Sequence, residues 1–177
     1  RRRQRQMCIR DRGITGVPGW YDFSFINHSL KVPMKFYLEG ILPHSFEVWN
    51  DPRMTNFGES PEKITEKNVK MLHEQLSQLK KKGIKKAIVL LHFVPLKEFM
   101  KYTNELKFDF WNAFYGSTML GDTILKFKDI VKRVYFGHIS HKFLKTKVLT
   151  VENIHFEAVD ISENSSDPMS VATVLKI

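Results

Sequence analysis

Residues 85–93 read Lys85-Lys86-Ala87-Ile88-Val89-Leu90-Leu91-His92-Phe93. This continuous apolar run has no polar alternation, which is the pattern of a strand buried on both faces, as in a parallel sheet. Upstream lies a helix with clear ends. Ser60 can cap it, Pro61 suits its first turn, and Ile64, Asn68, Leu72, Leu76 and Leu79 fall at steps of three or four. Lys80, Lys81 and Lys82 favour the negative helix end, and Gly83 suits a left-handed stop. Helix, short turn and buried strand make one α/β unit.

The pattern recurs downstream. Thr118 to Ile130 carries Leu120, Ile124, Phe127 and Ile130 at helical spacing, and Arg133 to Phe136 is a second short apolar strand closed by Gly137-His138. Leu96 to Tyr102 reads as a short helix, and Phe108 to Ser117 as a less regular, aromatic-rich stretch. Three β segments follow, at Thr146–Val151, Ile154–Ile161 and Val171–Ile177, with Asn153 placed to turn a hairpin. Gly13 to Phe25 suits a strand end and a packed loop, and residues 26–60 read as irregular structure with short strands. The fold class expected is α/β.

The chain has 177 residues, 42% of them hydrophobic and 12% aromatic, enough for one domain with a real core. No apolar run approaches the roughly 20 residues of a membrane span. A single Cys excludes an internal disulfide framework and fits a reducing compartment, so a cytoplasmic location is expected. The net charge of +9 is unevenly spread. Residues 1–12 hold six of the eight Arg against one acid, Asp11, whereas the other 165 residues carry 22 basic and 18 acidic groups. The start therefore reads as a non-native basic segment, with a nucleic-acid-binding arm as the alternative. The single domain is expected over residues 13–177.

Both buried strands end in histidine. Ligands of open α/β sheets collect beyond the carboxyl ends of the strands, so His92 and His138 fall on one rim if the strands are neighbours. Imidazole is a frequent metal ligand. Gly137 would let the backbone approach a ligand closely. Asn112 could bond a phosphate oxygen. Trp20, Tyr21, Asp22, Trp111, Phe114 and Tyr115 read as packing, Lys80 to Lys86 as a solvated charge run, and His28, His44, His73 and His155 have no partner pattern.

His92-Phe93-Val94-Pro95, Trp111-Asn112-Ala113-Phe114-Tyr115-Gly116-Ser117 and Phe136-Gly137-His138, together with Gly19-Trp20-Tyr21-Asp22, resemble the second half of calcineurin-like metallophosphoesterases. The resemblance runs from about Ile14 to His141. It implies two mixed β-sheets packed as a sandwich flanked by helices, and a phosphomonoester or phosphodiester hydrolase. Such enzymes use two divalent ions of the Mn, Fe, Zn or Ni class beside a bridging hydroxide. It also implies that His92 and His138 ligate one of those ions. Nucleic acid would then enter only as a substrate, and no membrane partner is implied.

The sequence departs from that family twice. Its usual Gly-His-x-His ending is here Gly137-His138-Ile139-Ser140-His141, so Ser140 holds the second ligand position and His141 comes one residue late. In an extended segment His138 and Ser140 share a face and His141 does not, unless a bulge re-aims it. The family's amino-terminal Asp-x-His, Gly-Asp-x-x-Asp and Gly-Asn-His motifs are absent, and Gly121-Asp122 falls inside a helical pattern, where Asp122 reads as surface. The chain thus resembles the carboxyl-terminal part of such a domain. It is expected to be inactive alone and to leave a sheet face uncovered. The alternative is a non-catalytic binding or scaffold protein of the same fold.

Overall fold

The computed structural model describes residues 7–9, 11–51, 55 and 57–159, the first three by backbone alone. The elements are β1 (Met7–Ile9), β2 (Arg12–Val17), α1 (Met34–Glu39), α2 (Pro61–Lys81), β3 (Lys86–Leu91), α3 (Leu106–Asn112), α4 (Thr118–Leu125), β4 (Val131–Phe136), β5 (Val148–Val151) and β6 (Ile154–Ala158). They form a six-stranded mixed sheet in the order β1-β2-β3-β4-β6-β5. Strands β2, β3, β4 and β6 are mutually parallel, while β1 and β5 close the two edges antiparallel. The α/β class holds. The described residues contain one sheet, where a sandwich was expected. The third expected β segment, Val171–Ile177, and the end of the second lie outside the described residues.

Local chemistry explains the central elements. At the start of α2 the Ser60 hydroxyl accepts from the Lys63 amide, and Pro61 occupies the first turn. Leu72, Leu76 and Leu79 are fully buried, and Gly83 takes the left-handed turn at φ 76° that suits glycine. Ile64 and Asn68, expected in the same stripe, are only half-buried, because the first turns instead seat Thr65, whose hydroxyl donates to the Tyr21 carbonyl at 2.8 Å. The hairpin between β5 and β6 turns on Glu152 and Asn153, both at positive φ, as a two-residue primed turn requires.

Three expectations fail locally. The second helix stops at Leu125, and the chain continues in tight turns in which Phe127 donates to Ile124 and Ile130 to Phe127. Those turns keep Phe127 and Ile130 buried, which is why the spacing looked helical. Leu96 to Tyr102 supplies only a single 3-10 turn, Lys97–Phe99. Two helices also appear in stretches read as irregular: α1, entered from Pro33 and stopped by Gly40 at φ 65°, and α3.

The register sorts the sheet into two unlike faces. One row runs Thr15, Val89, Val134, Phe156 and Leu149. Helix α2 lies on this side, with Gln75 bonded to Thr15 and Leu79 against Gly13, and α4 packs beside it. The opposite rows pair Ile14 with Ile88 and Arg133, and Gly16 with Leu90 and Tyr135. On that side Leu90, on a central parallel strand, is 43% exposed. Parallel strands are normally covered on both faces, so this face is a structural irregularity of the described residues.

Candidate metal centre

Strands β3 and β4 are neighbours and parallel, so their carboxyl ends deliver His92 and His138 to one rim. The backbone fixes both positions. The His92 and Phe93 amides donate to the Pro18 carbonyl, and the Gly137 amide donates to the His92 carbonyl at 3.2 Å. His138 then turns away from the strand in the left-handed region, at φ 69°. A non-glycine residue held there is strained, and such strain clusters at functional sites. The result is that His138 Nδ1 lies 3.0 Å from His92 Nε2.

Gly137 itself does not need to be glycine for space. An added Cβ there would come no closer than 3.8 Å to the Val159 carbonyl. The tight residue is Gly116, where a Cβ would meet the Val94 carbonyl oxygen at 2.0 Å and Phe25 at 2.7 Å. Gly116 forms a bridge with Val94, and the flanking Tyr115 carbonyl and Ser117 amide bond Val94 as well. This contact carries the line of β3 onto the rim and brings Tyr115 toward the histidines.

The His138 ring sits in an aromatic surround. Its centroid is 4.0 Å from Phe93, 5.8 Å from Tyr115 and 6.0 Å from Trp49. Burial drives its pKa down to about 4, the neighbouring His92 pushes the same way, and the Phe114 main chain offsets part of the fall. His92 is more exposed; burial also lowers its pKa, and the Asp51 carboxylate partly restores it. Both rings are therefore neutral near pH 7, the protonation state a metal ligand needs. The Asp51 pKa is raised, by burial first, against smaller downward pulls from the Trp49 side chain and then from His92.

His138 Nε2 is buried without a hydrogen-bond partner. With the ring proton on Nε2, Nδ1 keeps a free lone pair. Exposed His92 can place its proton on Nδ1 and free Nε2. In that tautomer pair both facing nitrogens keep their lone pairs, whereas a proton on either one makes the contact a hydrogen bond. The 3.0 Å separation is also that of a hydrogen bond between the two rings, in which one ring N–H donates to the lone pair of the other. Two imidazole nitrogens are the donors this rim offers a divalent ion.

They do not make a complete site. Among the described residues no group of three or more His, Cys, Asp or Glu side chains converges as a metal site. His141 begins a 3-10 turn, and its Nε2 lies 3.1 Å from the Ala158 carbonyl. The expected alternation of His138, Ser140 and His141 across an extended segment fails because the chain turns at His138. Ser140 is exposed. Asn112, expected to meet a phosphate oxygen, is 3% exposed and donates to the Lys101 carbonyl at 2.9 Å, so it ties α3 to the loop before it.

Three further polar residues shape the rim. The Asp22 carboxylate accepts from the Ser24 amide, the Ser24 hydroxyl and the Ser117 hydroxyl. Ser117 in turn caps α4 through Met119, so Asp22 pins the Gly19–Ser24 loop to that helix. Asp122 is exposed, as read from the sequence. The sequence reading missed Asp51 and Trp49, which reach the histidine pair from a loop without periodicity, and buried Asp109. No sequence signal marks the first two; Asp109, two residues after Lys107 in an aromatic stretch, looks like helix surface.

No helix among the described residues is long and apolar enough to cross a membrane. No family model, curated protein or solved structure matches the chain.

Proposed function

We propose that the chain is the carboxyl-terminal part of a metal-dependent phosphoester hydrolase of the calcineurin-like kind, with His92 and His138 as two ligands of one divalent ion. The observation that carries this reading is the 3.0 Å approach of His92 Nε2 to His138 Nδ1 at adjacent carboxyl ends of parallel strands. The neutral state of both rings and the left-handed backbone of His138 support it. A divalent ion there would act as a Lewis acid on a phosphoryl oxygen. Phe93 and the Phe114 main chain would hold the His138 ring in place, and the nearby Asp51 carboxylate would balance positive charge at His92. Ligands for a second ion, and the second sheet of a sandwich, would come from residues upstream of Gly13. The open Leu90 face is where such a sheet would pack.

A non-catalytic binding protein of the same kind is the second reading. What favours it is His141, whose ring is engaged with the Ala158 carbonyl. The test is to express the gene product extended upstream of Gly13 and assay it with Mn²⁺ against aryl phosphate mono- and diesters. Metal-dependent turnover that disappears in His92→Ala and His138→Ala supports the hydrolase. Well-folded, metal-loaded protein without turnover supports the binding role.

A further inference from the structure

A row of rings runs along the carboxyl rim, outward from the histidine pair. Tyr115 stands 5.8 Å from His138, and Phe143 stands 6.3 Å from Tyr115 with the two planes 25° apart. Phe108, on α3, follows at 6.5 Å from Phe143. Tyr115 and Phe143 are half-buried, whereas Phe108 is 51% exposed, so the outer end of the row is an open aromatic shelf. The backbone fixes its position. The Lys101 amide donates to the Phe143 carbonyl, the Lys145 amide donates to the Phe99 carbonyl at 2.8 Å, and Leu144 bridges Met100. Phe143 therefore stands two ring contacts from His138.

The shelf also carries unanswered positive charge. No Asp or Glu occurs between Asp129 and Glu152, a stretch that holds Lys132, Arg133, Lys142, Lys145 and Lys147. Lys101, Lys142 and Lys145 flank Phe143 along the backbone, all exposed, and none forms an ion pair among the described residues. Lys107, beside Phe108, is already paired with Glu47. Glu98 and Glu105 are the acids of the adjoining loop 96–105. Lys142 Nζ stands 5.0 Å over the Phe143 ring. Its stem is flexible, so the ammonium can leave the ring for a phosphate when a flat group takes its place. Aromatic rings that stack a base, beside cations that meet its phosphate, are a recurring means of holding nucleotides.

We infer that this shelf receives the planar aromatic group, a nucleobase or an aryl ring, of a phosphoester whose phosphate lies toward the histidine rim. The inference rests on the hydrolase reading above and names its substrate class. Phe143 and Phe108 stack the flat group, and Lys142 meets the phosphate. A sugar or alkyl phosphate would leave both rings uncovered and forgo that contact.

The test is calorimetry of the whole chain with adenosine 5′-monophosphate, phenyl phosphate and ribose 5-phosphate, each with and without Zn²⁺. The aromatic esters should bind tighter than ribose 5-phosphate by about tenfold, and the tighter of the two tells a nucleobase from an aryl ring. Phe143→Leu, which keeps the apolar packing, and Phe108→Ser, at an exposed position, should each reduce that preference and leave ribose 5-phosphate unchanged. Lys142→Gln should weaken all three phosphates. Equal binding of the three overturns the inference, as does no binding of any. So does an aromatic preference that survives both Phe variants. An aromatic preference that depends on Phe143 but gains nothing from Zn²⁺ supports the shelf and counts against the metal reading alone.

Discussion

His92 Nε2 and His138 Nδ1 stand 3.0 Å apart although 46 residues separate them in the chain. Two parallel strands and one left-handed turn produce that meeting. The energetic cost of the arrangement falls on His138, which is held off the favoured backbone and out of water, and it sets the pH behaviour of the fold. The folded pKa of His138, about 4, lies below the ordinary 6.5. Between those values the unfolded chain binds a proton that the native chain refuses. Stability is therefore full above about pH 6.5 and falls as pH drops toward 4, by on the order of 2–3 kcal/mol. His138→Asn, which tolerates the left-handed backbone, should flatten the curve. Urea denaturation across pH 4 to 7 checks this, and equal slopes for the two proteins would refute it.

Asp109 should matter more to folding than any residue of the rim. It is fully buried and accepts from the Thr103 amide and hydroxyl, the Asn104 amide and the Asn27 side chain. Asp109→Ala leaves these donors unpaired and is expected to cost about 3–5 kcal/mol. Asp109→Asn keeps one acceptor and should cost less. Chemical denaturation at pH 7 ranks them, and an Asp109→Ala protein as stable as the parent would contradict the account.

The open face of the sheet should be sticky. Leu90 and Val148 are each 43% exposed there. The chain alone is expected to self-associate or bind a hydrophobic dye, and Leu90→Lys should reduce both while changing stability by no more than about 1 kcal/mol. Sedimentation and dye fluorescence check this. A monomeric, dye-silent parent would mean that the face is covered within the chain.

How much of this was readable beforehand follows from the kind of signal each feature carries. Strand β3 announces itself because four parallel strands bury its residues on the helix side and only Lys86 and Leu90 break the run. Ser60-Pro61 and Asn153 are local signals, since a cap and a primed turn depend on a few adjacent residues. The pairing of His92 with His138 was readable because both end apolar runs. Asp51 and Trp49 were not, because a loop has no period from which to infer what it packs against. Nor was the role of His141: its alternation argument assumed an extended chain, and the positive φ of His138 is a tertiary outcome. Helix α3 was missed because its aromatic residues pack on several sides at once, Phe110 on Tyr37 and Trp111 on Trp49, which blurs a single stripe.

The central claim is that His92 and His138 together hold a divalent ion, and metal titration of the purified chain tests it most directly. Zn²⁺ or Mn²⁺ followed by calorimetry should show about one ion per chain, weakened by about tenfold or more in His92→Ala and in His138→Ala and unchanged in His141→Ala. The histidine ring resonances of His92 and His138 should shift together on binding. Undiminished binding in both single mutants, or a loss confined to His141→Ala, would contradict the account.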